Sequence, residues 1–312
     1  MPSSRMITYE SGQLNFLVGN QQQLLKVYPV KVEYDEDCVI ISGHTAFAHP
    51  ELDFPPMLQI IMRDPRYAGD LRKQLGLKPW TVETEQSLLA YMAADGYDAD
   101  INTWSREPSL LFEHLRRGPL QHREACFRAL LIMLQTKDAR SYDHAYSSVQ
   151  GLGEPARSCF SKYLGSVSLD LSTSVYGQPL IVYGTVTEFV PGFTADELCE
   201  HIPRHLWQRT ISTIISTVHT VITNATRLRH DKLQAKHFTM SYCYNKGGVG
   251  SRIVLTNLNG FLWHGSDHDP SYNKFIDLAK AQGNVFDQLL QQVDDKGVVL
   301  EDADLIVWGT GT

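Results

Sequence analysis

The sequence predicts an α+β fold in two parts, a small antiparallel sheet followed by a mainly helical region. Three observations carry this expectation. Strand-like text dominates the beginning of the chain, an apolar stripe of helical period runs from Leu206 to Ile222, and Pro191-Gly192 marks a turn between the two regions. At 312 residues the chain exceeds the usual single-domain size, which fits one large domain or two lobes.

The elements follow in order. "QLLKVYPVKVEY" is rich in Val, Leu and Tyr, "CVIISG" follows the acidic turn "DED", and "MLQIIM" follows two prolines; three strands joined by turns suggest an antiparallel meander. From about residue 65 to 105 the text is helical, with Leu88, Leu89 and Met92 at helical spacing. "REACFRALLIMLQ" places Phe127, Leu130, Leu131 and Leu134 on one helical face, and Glu124 falls on that apolar side. A carboxylate there is costly unless partnered, so Glu124 reads as a functional group, or else as a capping or ion-paired one.

"PLIVYGTVTEFVPGF" at 179 to 193 reads as two strands ahead of the Pro-Gly turn. Beyond it, Ile211, Ile214, Ile215, Val218 and Ile222 share one stripe. A loop, a strand ending near Tyr244, the turn "NKGGVG" and the strand "RIVLTNL" come next, and the text from 271 onward is helical at first. The expected domains are 1–190, with a helical insertion at about 65–120, and a helical 191–312.

Composition narrows the function classes. Apolar content of 43% supports a substantial core, and 20% charged residues argues against disorder. A net charge of −7, with a pI near 5.9 and no Lys/Arg run, argues against a nucleic-acid or anionic-membrane partner. The five cysteines are far apart and form no C-x-x-C pair, which suits reduced, buried thiols in a cytosolic protein. The start "MPSSRMITYE" lacks an apolar signal region, and the longest apolar run, "ALLIML", is too short to span a bilayer. A cytoplasmic location without a membrane partner is therefore expected.

Several motifs share an order. "LRHDKLQAKHFTM" at 228 to 240 has the outline of a kinase catalytic loop, "TEFVPGFTADEL" that of the hinge and the helix after it, and "RIVLTNLNG" that of the strand leading into Asp-Phe-Gly. "REACFRALLIMLQ" with "CFSKYLGSV" resembles the regulatory helix and the following strand. "MLQIIMRDPRYAGDLRK" with "PWTVETE" resembles the third strand and a helical insertion. From about residue 24 to 265 the chain thus resembles the protein-kinase-like family, in a degenerate branch common in filamentous fungi. The resemblance implies a two-lobed fold, with an antiparallel-sheet N-lobe and a mainly helical C-lobe, and a ligand cleft whose hinge carries Glu188.

The departures from the family pattern decide the chemistry. An active kinase uses a strand lysine braced by a helix glutamate, a loop aspartate, and magnesium held by a loop asparagine and the Asp of Asp-Phe-Gly. Here "HDKLQAKH" keeps His230 and Leu233 but puts Lys232 at the aspartate and His237 at the asparagine. Asn257 stands for the metal aspartate, with Asn259 two places on, and Gln59 for the phosphate lysine; the helix glutamate matches Glu124. Sliding the frame by one residue restores Asp231 as the base but misplaces the apolar residues after the loop, so the ungapped frame fits better. Lys26 and Lys31 are upstream alternatives to Gln59. "VEYDEDCV" has no glycine with which a backbone could approach phosphates closely.

Replacing a carboxylate with lysine changes local charge by about two units, and an ammonium cannot ligate magnesium. His237 prefers softer metals. The set argues against phosphoryl transfer, and no cofactor or metal is expected. Lys232, His237, Asn257, Asn259 and Gln59 can all donate hydrogen bonds, which suits a small, apolar, carbonyl-bearing organic ligand. Donors aimed at a carbonyl or a developing oxyanion lower a barrier without a cofactor, and holding a flexible ligand in a reactive fold adds an entropic contribution.

The resemblance therefore implies a kinase-like fold repurposed as a cofactor-independent cyclase, of Diels-Alder type, in fungal secondary metabolism. Lys232, His237 and Asn257 are its expected catalytic residues, and Gln59, Glu124, Glu188 and Asn259 its ligand-binding residues. The alternative is a noncatalytic pseudokinase that binds a protein partner, which predicts a large exposed apolar patch. Plainer readings stand beside these: a solvated Lys232, a hydrogen-bonded structural His237, turn residues at Asn257 and Asn259, and a structural Gln59 on its strand. "WHGSDHDP" at 263 to 270 reads as a polar loop in preference to a metal site, and no G-x-S-x-G elbow supports a hydrolase.

Overall fold

Alternation of apolar residues turns the first part of the chain into strands that have a dry face and a wet one. The computed structural model describes residues 9, 12–19, 23–35, 38–45, 55–94, 103–104, 106–150, 156–171, 180–206, 210–211, 213–214, 216–217, 228–230, 237–245, 248–256 and 261–263. The chain divides into two units: Met1–Arg140 with Tyr163–Phe189, and Ser141–Lys162 with Val190–Thr312.

The first unit holds β1 (Leu14–Val18), β2 (Gln23–Asp35), β3 (Cys38–Thr45), β4 (Met57–Arg63), β5 (Tyr163–Asp170) and β6 (Ile181–Glu188). All neighbours are antiparallel, in the order β1-β2-β3-β4-β6-β5, and β1 pairs back onto β5 with Phe16 opposite Leu169. The sheet is therefore a closed barrel. Phe16, Val27, Val39, Ile41, Leu58, Ile60, Met62 and Val186 alternate into its buried interior, as side chains do in small barrels. Each such side chain contributes about 1.5–3 kcal/mol on burial, so the interior layers dominate the stability of this unit.

This overturns the expected two-lobed kinase-like fold. The small sheet is not open: Leu14–Val18 supplies a hydrogen-bonding partner to both β2 and β5, so none of the six strands keeps a free edge. Nor are the described residues of the second unit mainly a helical lobe, because five strands run through them. "PLIVYGTVTEFVPGF" likewise contains one full strand, β6, and then the two-residue β7 (Phe193–Thr194), where two strands had been expected.

Among the described residues, α1 (Gly69–Gln74), α2 (Val82–Met92), α3 (Pro108–Arg117) and α4 (Leu120–Gln150) accompany the barrel strands in sequence. Thr81 caps α2 by accepting from Thr84 N at 3.2 Å, and Glu83 and Glu85 complement the positive end of the helix dipole. The early turns of α4 bury Ala125, Cys126, Phe127, Ala129, Leu130 and Leu131, which occupy more than one face, so this stretch is apolar nearly all round. Arg63 fastens β4 to α4, with Nε and Nη2 each 2.7 Å from Asp138 Oδ2.

In the second unit β7 is followed by β8 (Leu228–His230), β9 (Phe238–Asn245), β10 (Gly248–Leu255) and β11 (Phe261–Trp263). β10, β9 and β7 form one antiparallel sheet, while β8 pairs with β11. Phe160 bridges Leu255 in parallel. Gly192 precedes β7 with φ +153°, and a Cβ there would stand 1.8 Å from Met240 O, so only glycine fits. Of the expected stripe, Ile211 and Ile214 are helical and buried. Ile215, Val218, Ile222 and the text from 271 onward lie outside the described residues.

Candidate functional site

β9 starts directly after His237, and the two-residue period of a strand sorts its side chains onto two faces. Phe238 and Met240 lie opposite Leu255 and Ile253, and all four are buried. Thr239 and Ser241, opposite Val254 and Arg252, occupy the other face. His237 ends a 3-10 turn just ahead of the strand and lies beside Thr256, whose N–H donates to His237 O at 2.9 Å.

The second face is polar and yet buried. His237, Thr239 and Ser241 are 7%, 8% and 5% exposed. Part of its hydrogen-bonding capacity is used internally. The hydroxyls of Thr239 and Thr256 are 3.0 Å apart, and Thr256 Oγ1 also donates to His237 O at 3.2 Å. Arg252 Nε donates to Ser158 O at 2.7 Å, which turns its charge toward the backbone of the adjoining segment. The Ser241 hydroxyl adds a group that can both donate and accept.

The other expected site residues are dispersed. Lys232, Asn257 and Asn259 lie outside the described residues. Gln59 sits on β4 with Ser42 and Thr187 as cross-strand neighbours, both of them buried. Glu188 pairs with Leu58, so alternation puts it on the opposite face of the sheet from Gln59; the two are not brought together.

Glu124 is held in a two-armed ion pair with Arg72 of α1, and Arg72 Nε and Nη2 also donate to Lys78 O at 2.8 and 2.6 Å. The guanidinium carbon lies 5.3 Å from the Trp80 ring centre and 5.0 Å from that of Phe127. Both carboxylate oxygens are thus occupied, and the pair accounts for a buried Glu124 without a ligand.

A second buried polar cluster follows β4. Tyr9 Oη donates to Asp64 Oδ2 at 2.5 Å, and Arg66 binds the same carboxylate through Nε at 3.0 Å and Nη2 at 2.6 Å. Burial, reinforced by the Asp64 charge, pushes the Tyr9 phenol well above its ordinary pKa. Burial works against the Arg66 charge, but the hydrogen bonds and charge of Asp64 outweigh it and hold that guanidinium more firmly protonated.

Thr239, Ser241 and Thr256 were not expected at the site, although the alternation H-x-T-x-S from His237 to Ser241 was a readable signal for a strand with a polar face. Arg72 had no such signal. Among the described residues no group of three or more His, Cys, Asp or Glu side chains is placed to hold a metal ion, and no helix is long and apolar enough to cross a membrane. No protein-family model matches the chain, and no curated protein matches it.

Proposed function

We propose that the chain binds a small apolar organic molecule bearing a carbonyl group and promotes its cyclisation by cycloaddition, without a cofactor, as a step of secondary metabolism. The observation that carries this reading is the buried polar stretch of His237, Thr239 and Ser241 at the start of β9, paired with β10. Buried hydrogen-bond donors suit a carbonyl, and their hold strengthens as charge develops on its oxygen. In this reading His237 donates to that oxygen, with Lys232 and Asn257 as further donors.

The test uses a linear polyene joined to an unsaturated ketone, with its cyclisation followed by chromatography. The purified chain accelerates the reaction, and His237→Ala lowers the rate about a hundredfold, the order expected for losing one oxyanion donor. An unchanged rate with and without the protein sinks the reading.

A second reading, a noncatalytic protein that binds a partner protein, is favoured by exposed apolar residues along β2. Leu24, Tyr28 and Val30 are 47%, 45% and 62% exposed there. A protein that copurifies at one-to-one ratio and is lost on Val30→Asp supports it. A chain that stays monomeric and alone at physiological concentration counts against it.

A further inference from the structure

The parallel bridge between Phe160 and Leu255 fixes the register of the segment on the far side of β10. Ser161 N donates to Leu255 O at 3.0 Å, and Arg252 holds the carbonyl of Ser158 three residues earlier. The next residues along, Ser161 and Thr256, follow that bridge, and Thr256 is bonded through its N–H to His237 O. The backbone therefore sets Ser161, Thr256 and His237 side by side, each step about 5 Å.

Ser161 differs from the rest of the row. It is 1% exposed, and its Oγ is buried without a hydrogen-bond partner. The hydroxyls of Thr239 and Thr256 satisfy one another, whereas this one satisfies nothing. Native chains seldom leave a buried hydroxyl unpaired, and a group in that condition points to a partner that comes from outside the chain.

We infer that Ser161 is a further ligand contact, its hydroxyl donating to the carbonyl oxygen of a molecule bound on the β9–β10 face. The inference rests on the reading of that face as a binding site and deepens it: the ligand's oxygen is received by the buried Ser161 hydroxyl. A ketone or amide meets this demand.

The experiment uses the full chain and two probes of similar shape, 4-phenyl-2-butanone and butylbenzene, with binding read by ligand-observed NMR. The ketone binds the wild type, and Ser161→Ala weakens it about tenfold, the loss of one hydrogen bond, while butylbenzene binding stays unchanged. Without ligand, Ser161→Ala melts at the same temperature or higher, since it removes an unpaired buried hydroxyl. Ser161→Cys, a close match in shape with a weak donor, falls between the two in ketone affinity and serves if the alanine variant does not fold.

Equal ketone affinity in the wild type and Ser161→Ala overturns the inference. If His237→Ala still weakens the ketone in that case, the binding face survives and only the serine contact fails. If the wild type binds no ketone at all, both fall.

Discussion

Arg72 and Glu124 meet with Nη1 on Oε2 and Nη2 on Oε1, each at 2.8 Å, and both side chains are 1% exposed. Two parallel charge-assisted hydrogen bonds, plus the Lys78 carbonyl behind the guanidinium, recover much of what dehydrating two charges costs.

Removing one partner leaves the other charged and alone. Arg72→Met is expected to lower unfolding stability by about 3–5 kcal/mol in urea denaturation, and Glu124→Leu by a similar amount. The double variant recovers most of the loss, because no orphaned charge remains. Single variants with wild-type midpoints would remove the pair from the structural account.

The Tyr9 phenol makes stability depend on alkaline pH. Its folded pKa lies above the unfolded value, so the native state holds the proton more tightly than the unfolded chain does. That contribution is complete below about pH 10, where an exposed tyrosine ionises, and is lost as pH rises through the folded value. Tyr9→Phe is expected to flatten this limb in denaturation curves taken between neutral pH and about pH 11. An unchanged slope in the variant would show that another group sets it.

Gly192→Ala is expected to lower the melting temperature sharply, because its Cβ collides with the Met240 carbonyl and its positive φ disfavours any side chain. The loss, about 3 kcal/mol or more, falls on the pairing of β7 with β9. Hydrogen exchange at Met240 and Thr239 reads it locally. Protection equal to the wild type would contradict the close approach.

The Thr239–Thr256 hydroxyl pair is expected to show coupling. Thr256→Val leaves the buried Thr239 hydroxyl without this partner and costs about 1–3 kcal/mol, whereas Thr239→Val costs less, because Thr256 Oγ1 still donates to His237 O. Replacing both costs less than the sum, since neither polar group is left unmatched. Additive losses in a double-mutant cycle would mean that the two hydroxyls do not bond one another.

Local patterning made much of this readable. The residues of β2, β3 and β4 declare themselves by apolar, β-branched runs bounded by turn residues, those of α4 by a helical stripe, and β9 and β10 by strand-like text on either side of "NKGGVG", although the pairing of Asn245 with Gly248 starts β10 inside that stretch. Barrel closure was not readable in the same way. "LNFLV" alternates as cleanly as its neighbours, yet nothing local says that Phe16 will lie beside Leu169. A register between distant strands is a property of the pair, and periodicity within one segment cannot encode it.

The same limit applies to Glu124. Its awkward place on an apolar face was visible and its need for a partner followed, but the partner lies in a short helix far upstream. At the candidate site His237 was singled out from motif outline alone. The burial of Thr239 and Ser241 beside it could not be anticipated, because alternating polar residues ordinarily mark a solvent face.

The seam between β1 and β5 has a consequence for biosynthesis. The two strands lie roughly 150 residues apart in the chain, so a ribosome releases the first long before the second exists. During that interval β1 can pair with β2 but still presents an unzipped margin, able to recruit a neighbouring nascent chain. Assembly must therefore wait on its slowest, most distant contact, and misfolding is expected to begin at this join.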